Sequence, residues 1–217
     1  MPRILAAMRS YNQYCGLAKA LDVVGDRWIL LVVRELLAHD GARYTDLRDG
    51  LPGIATNMLA GRLRDMERAG LVIREDAPPP VATTLFRLTP RGRQLEPVIR
   101  ALGAWAGPLM EEWTPGQEFR SRWLALPVEL YLTDGAPDAP PVALQLRTGE
   151  EPMVVEVAGG TVRARPGTAA HAAAELAGPP HVVMGLLAGR LSLAAARAKG
   201  LHFRGALRAV RRLRPRS

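Results

Sequence analysis

Cysteine is nearly absent from this chain: Cys15 stands alone among 217 residues. A single cysteine excludes an intrachain disulfide, and a reducing, cytoplasmic setting is the matching expectation. No apolar run approaches the roughly 18 residues that a membrane span needs. The segment "MPRILAAMRSYNQYCG" has no sustained apolar stretch of the kind a secretory signal carries. The four histidines (His39, His171, His181 and His202) share no ligand spacing and have no cysteine pair to join, so no metal and no cofactor are expected. Catalytic signatures are missing as well. There is no nucleophile elbow, no glycine-rich phosphate loop before a helix and no clustered Asp, Glu and His. Ser192, in "GRLSLAAA", reads as a helix cap rather than a nucleophile. An enzyme is therefore not expected, and no internal repeat is present.

What is present is enough chain for two compact domains and a net charge of +8. That charge points to an anionic partner, but its distribution is uneven. Residues 1–115 hold fifteen Lys and Arg against thirteen Asp and Glu, whereas residues 116–217 hold fourteen against eight. The stretch "RAKGLHFRGALRAVRRLRPRS" contains no acid. It reads either as a grip on DNA flanks or, preferably, as a solvated helix face with a frayed end.

In the first half, Leu17, Leu21, Val24, Trp28, Leu31, Val32 and Leu36 recur at helical spacing, predicting helix over 11–38 with Gly25 as either a break or a close-packing point and Trp28 in the core. A short helix follows in "RYTDLRDGL", capped by Thr45, with Asp46 suited to its N-terminal end. Pro52-Gly53 turns the chain into "LPGIATNMLAGRLRDMERAGL", a helix starting near Ala55-Thr56 and ending at Gly70. "LVIRED" and "TTLFRL" are β-prone runs around the proline-rich tip "APPPVA". "TPRGRQLEPVIRALGAWAGPLMEEW" then restarts a helix, with Thr89 as cap and Pro90 at its first position. Helix, short helix, turn, helix, hairpin, helix is the order of a winged helix-turn-helix.

With Leu59, Leu63 and Met66 turned inward, the opposite face of the third helix presents Asn57, Gly61, Arg64 and Arg68, with Thr56 and Ala60 alongside. Such a face suits a major groove. Asn57 matches adenine edges or phosphate, Arg64 matches guanine or phosphate, and Gly61 permits close approach. Arg62 falls at the flank as a phosphate clamp, while Asp65 and Glu67 lie to the sides. The DNA-binding set is Thr45, Thr56, Asn57, Ala60, Gly61, Arg62, Arg64 and Arg68. The competing reading is a core helix with a solvated polar face.

These motifs, "CGLAKALDVVGDRWILLVVRELL", "RYTDLRDGLPGIATNML…RLRDMERAGLV" and "FRLTPRGRQL", resemble the HxlR-type winged-helix regulators of bacteria over about residues 12–110. The resemblance implies a dimeric transcription factor, more often a repressor, paired through its N-terminal helix and the helix after the wing. It also implies that Cys15 senses oxidants through an intermolecular disulfide; Lys19, one turn on, is the evident nearby cation, and the alternative is a small packed residue. Two departures stand out. Gly16 replaces the proline that often follows the cysteine, and "PPPVATT" has no basic residue to insert into a minor groove.

The expected domains are residues 1–113, a connector at 114–121, and residues 122–217. In the last, "VALQLRTG", "PMVVEVAGG" and "TVRARPG" read as strands. "TAAHAAAELAG", "HVVMGLLAG" and "LSLAAARAKG" read as alanine-rich helices, followed by a strand "LHFRG" and a basic helix. The overall class is α+β. The stretch from "PMVVEVAGG" to "LHFRG" carries a resemblance, over about residues 120–213, to sterol-carrier-protein-type domains, which implies an apolar tunnel and a hydrophobic effector. Trp123, Tyr131, Met153, Met184, Leu187 and Phe203 are the candidate wall, each equally readable as plain core. The expected protein is a homodimeric regulator that binds double-stranded DNA and no membrane. Two other readings stay open: a hydrophobic-ligand carrier, and an interaction scaffold whose helix-turn-helix serves dimerisation.

Overall fold

The computed structural model describes residues 10–39, 41–77, 83–110, 114 and 116–216. The chain forms two units, Met1–Ala101 and Leu102–Ser217.

In the first unit the stretch expected as one helix is two: α1 (Gly16–Val24) and α2 (Ile29–Ala38). The break falls at Gly25, where an added Cβ would lie 2.5 Å from the Leu21 carbonyl oxygen. The Asp26 carbonyl then accepts the Ile29 N–H and starts α2 afresh. Trp28 sits in this break half-buried, under the Arg27 guanidinium at 5.6 Å, and not in the core. Helix α3 (Tyr44–Asp49) is capped by Asp46, whose carboxylate accepts the Arg43 N–H at 2.9 Å; Thr45 lies inside the helix and is not its cap. The turn at Gly53 (φ +84°) leads into α4 (Thr56–Arg68), which ends where Gly70 turns left-handed at φ +68°.

Strands β1 (Val72–Ala77) and β2 (Thr83–Leu88) pair antiparallel, and the tip between them lies outside the described residues. A bridge between Ala42 and Phe86 ties this hairpin to the segment before α3. Leu36, Leu47, Leu51, Leu59, Leu63, Met66, Phe86 and Leu88 close the core beneath.

The helix expected after the hairpin is interrupted. A single turn, α5 (Pro90–Arg93), is followed by α6 (Glu96–Trp105). Pro97 has no N–H to continue α5, so the helix begins again with proline in its first turn. Thr89 Oγ1 accepts the Gly92 N–H at 3.0 Å and donates to the Gly70 carbonyl at 2.7 Å, joining the end of α4 to the start of α5. Thr89→Ala should therefore lower the stability of this unit by about 0.5–2 kcal/mol, the range for removal of a cap. Calorimetry checks it, and an unchanged midpoint would remove the cap from this account.

The second unit begins within α6. It continues through short 3-10 turns at Gly107–Met110 and Ser121–Leu124 and then α7 (Ala125–Tyr131). Its main sheet has the order β6-β5-β4-β7-β8, built from β4 (Val142–Arg147), β5 (Met153–Ala158), β6 (Thr161–Pro166), β7 (Ala174–Ala177) and β8 (His202–Gly205). All neighbours are antiparallel except β4 and β7. Helices α8 (Pro180–Leu187) and α9 (Leu193–Ala198) fill the crossover between β7 and β8, and Ser192 Oγ caps α9 by accepting the Ala195 N–H.

The alanine-rich run before α8 is strand β7 and not helix. Leu176 and Ala174 are buried, and pairing on both edges outweighs the helix preference of alanine. The basic end is also more than a frayed helix. After α10 (Leu207–Arg211) comes β9 (Leu213–Pro215), which pairs antiparallel with β3 (Leu132–Asp134).

Between those two strands Arg212 and Asp134 form a buried bidentate pair, with Nε to Oδ1 at 2.7 Å and Nη2 to Oδ2 at 2.8 Å. The same carboxylate accepts the N–H groups of Ala136 and Gly160. The Arg212 guanidinium and these backbone donors hold the Asp134 carboxyl well below the usual carboxylate range, against the opposing effect of burial. Among the described residues no helix is long and apolar enough to cross a membrane.

Candidate nucleic-acid interface

Helix α4 is anchored from below and at its start. Leu59, Leu63 and Met66 are buried as the period requires. The Tyr44 hydroxyl donates to the Thr56 carbonyl at 2.7 Å, fixing the first turn of α4 against α3. Thr56, Asn57, Arg64 and Arg68 are exposed, with Ala60 and Gly61 half-buried beside them. An added Cβ at Gly61 would meet nothing within 4 Å. Packing within this chain thus gives no reason for a glycine here, although one inside a helix costs about 1 kcal/mol relative to alanine. Close approach by an outside surface does give a reason.

The charges sort themselves. Arg62, expected as a phosphate clamp, pairs with two carboxylates, Asp26 at 2.8 Å and Asp65 at 2.8 Å, and ties α4 to the α1–α2 turn. Asp65 also takes the Arg68 guanidinium, and Glu67 takes Arg74 of β1 at 2.8 Å. Both acids of α4 are thereby neutralised within the unit, which the side positions alone do not reveal. Arg68 remains more than half exposed beside Asp65, an ion pair weak enough to exchange for phosphate. Among the described residues, Arg64 is the cation of α4 with no ion pair, and it stands in the outward row one turn from Gly61.

A second feature has no counterpart in the sequence pattern. Between the start of α3 and the hairpin lies an open groove of about 470 Å³, lined by Arg43, Tyr44, Thr45, Arg74, Thr83, Thr84 and Phe86. It brings Thr45 to a wall shared with two arginines. Arg74 is held with its guanidinium over the Phe86 ring at 5.3 Å. The spacing of α4 carries no signal for Arg43 or Arg74. The alternation of "LVIRED" puts Arg74 on the same face of β1 as buried Val72, opposite Phe86, and so gives no hint of its exposure.

Among the described residues Cys15 is exposed, and it stands at the N-terminal cap of α1. The backbone N–H groups of Ala18 and Leu17 hold its thiol below its ordinary pKa. The six candidate wall residues of the second unit separate into two groups. Met153 and Leu187 are fully buried in its core, with Met184 and Phe203 packed against that core. Trp123 instead meets Phe119 edge-on, and the Tyr131 hydroxyl donates to the Gly103 carbonyl. Among the described residues no three His, Cys, Asp or Glu side chains come together to hold a metal.

Compared with known proteins, residues 23–114 match the HxlR-like helix-turn-helix family. The uncharacterized HTH-type transcriptional regulator YvaP of Bacillus subtilis (strain 168) is 31% identical over 88 residues, which span 41% of this chain and 81% of YvaP. The uncharacterized HTH-type transcriptional regulator sll1512 of Synechocystis sp. is 34% identical over 99 residues, 45% of this chain and 72% of that protein. The HTH-type transcriptional regulator YodB of Bacillus subtilis is 30% identical over 102 residues, 46% of this chain and 89% of YodB.

Proposed function

The chain belongs to the HxlR-like helix-turn-helix family of transcriptional regulators, and from that premise we propose a sequence-specific, homodimeric repressor that reads duplex DNA with the Asn57–Gly61–Arg64 row of α4. The observation that carries this reading is the sorting of charge on α4. Its acids are spent on Arg62, Arg68 and Arg74, while Arg64 stands outward, without an ion pair among the described residues, beside a glycine with open space above it. Asn57 offers the paired donor and acceptor that fit an adenine edge, and Arg64 the fork that fits guanine. The groove beside α3 offers Arg43 and Thr45 for phosphate contacts that set the register of the helix on DNA.

Two copies are needed because one short helix reaches few base pairs; a dimer places two helices at half-sites about one helical turn apart. Support for pairing comes from α1 and α6, which leave Leu17, Leu21, Leu102 and Trp105 exposed. The exposed, activated thiol of Cys15 on α1 favours a redox input through a disulfide between copies. For the second unit the reading is an apolar-effector domain, carried by its resemblance to sterol-carrier-type domains; Met153 and Leu187 lie fully buried in its core, as plain packing also requires.

The test is a gel shift with a duplex that the wild-type chain enriches from a random library. Asn57→Ala with Arg64→Ala should lose at least about 2 kcal/mol of preference for that duplex over random DNA, roughly thirtyfold. Both side chains are exposed, so the fold and thermal midpoint should stay as in wild type. An undiminished preference would show that another face reads the DNA.

A further inference from the structure

Outside α4, the densest charge in the molecule is the acid-free run at residues 197–217, with eight Lys and Arg. Elsewhere several exposed arginines meet a local carboxylate, as Arg147 meets Glu175 and Arg165 meets Glu156. Among the described residues of this run only Arg212 does, and it is the buried partner of Asp134.

The backbone sorts the rest. Ala209, Val210, Arg212 and Leu213 turn inward, and Arg208, Arg211, Arg214 and Arg216 turn outward. None of these four makes an ion pair among the described residues. Arg208 and Arg211 are three apart on α10, which separates their side chains by about 5–6 Å. Arg214 and Arg216 are two apart along β9 and its end, a separation of about 7 Å. The result is two pairs of exposed arginines on ordered backbone, joined through the Arg212–Asp134 pair and the β3–β9 ladder. Asp138, in the loop after β3, is the nearby exposed acid not already paired.

We infer that the outer face of α10 and β9 is a second nucleic-acid contact, taking the sugar-phosphate backbone of duplex DNA without reading its sequence. Two pairs of forked cations, about 5–7 Å apart within each pair, suit phosphates, each of which accepts two N–H bonds from arginine. The face carries no base-reading set of Asn or Gln. It also carries no apolar anchor for a bilayer: among the described residues from 114 onward no large hydrophobic side chain is exposed. The inference rests on the reading of the chain as a DNA-binding protein, and it gives the second unit a part in affinity while α4 keeps the part in selection.

The experiment compares the full-length chain with a variant carrying Arg208→Gln, Arg211→Gln, Arg214→Gln and Arg216→Gln. Each binds a random-sequence duplex, followed by fluorescence anisotropy between about 50 and 200 mM salt. Each arginine–phosphate pairing removed should lower the slope of log affinity against log salt by about 0.9, so the variant slope should be smaller by about 3–4. A control with Arg163→Gln and Arg190→Gln should keep the wild-type slope. Preference for the enriched duplex over random DNA should survive in the fourfold variant.

An unchanged slope in a folded variant overturns the inference, and so does an equal fall per charge removed in the control, about 2 for its two arginines, which would mean net charge alone. A loss confined to binding of phosphatidylserine vesicles would also overturn it, in favour of a membrane. If the Asn57 and Arg64 variant keeps its preference while the fourfold variant loses slope, the reading of α4 fails and this inference stands. If the wild-type chain shows no salt-dependent binding to any duplex, both fall.

Discussion

Replacing Asp134 with alanine should destabilise the second unit by about 3–5 kcal/mol, the cost of leaving a buried charge without its partner. Arg212 is tied down on several sides: its guanidinium donates to both Asp134 oxygens and to the carbonyls of Ala139 and Pro140. Without Asp134 that charge stays inside the β3–β9 corner, satisfied only by neutral carbonyls. The N–H groups of Ala136 and Gly160 lose their acceptor in the same step. Hydrogen exchange of β4 and β5 amides checks this, because it reports on the second unit by itself. Replacing both partners with apolar residues of similar size should cost much less than the single change. If the double variant is no better than Asp134→Ala, the loss is one of packing and not of charge.

The same pair sets a direction with pH. Its folded-state pKa lies below the unfolded carboxylate value of about 3.9. Its contribution is therefore complete above that value and is lost as pH falls toward the folded pKa. The gap between wild type and Asp134→Ala should stay constant from neutral pH to about 5 and narrow only in stronger acid.

The second large effect concerns assembly. Changing Leu102 and Trp105 together to glutamate should convert the protein to a monomer and weaken binding to its enriched duplex by about 10²- to 10⁴-fold, the advantage that linked binding confers. On α6 and the turn after it, Val98, Leu102, Trp105 and Leu109 follow one another by four, three and four residues, the spacing of a stripe along one helical face. Trp105 is 76% exposed and Leu109 71%. On α1 and the residue before its cap, Tyr14, Leu17 and Leu21 are spaced by three and four, and all three are exposed. Burying a large apolar side chain gains about 1.5–3 kcal/mol, so even a few such residues reach the range of a stable dimer. Sedimentation equilibrium measures the mass. Because these side chains are exposed in one copy, the variant should keep its thermal midpoint, and a variant that stays dimeric would place pairing on another surface.

Much of the first unit is legible in the sequence because its cues are local. The three-and-four spacing of Leu59, Leu63 and Met66 fixes the inward face of α4, and Gly53 and Gly70 mark its ends. The split between α1 and α2 is half visible at Gly25. The break after α5 has a signal in Pro97, but the apolar period continues through it and masks the interruption. Partners distant in sequence are not legible. Nothing near Arg62 names Asp26, and nothing near Glu67 names Arg74, yet those pairings decide which cation of α4 is left for DNA. In the second unit, "AAAELAG" has helix-forming composition and becomes a strand because β4 and β8 pair with it on both edges. The role of Arg212 depends on an aspartate 78 residues earlier.

That separation has a consequence during synthesis. Strand β3 is made long before β9, and at about 5–20 residues per second its pairing edge waits several seconds for its partner to be translated. The first unit has no comparable delay, since β1 and β2 are joined by a short hairpin. The helix-turn-helix unit can thus fold while the second is still being made, and the interval in which β3 lies open is when a nascent chain is most exposed to wrong strand pairing.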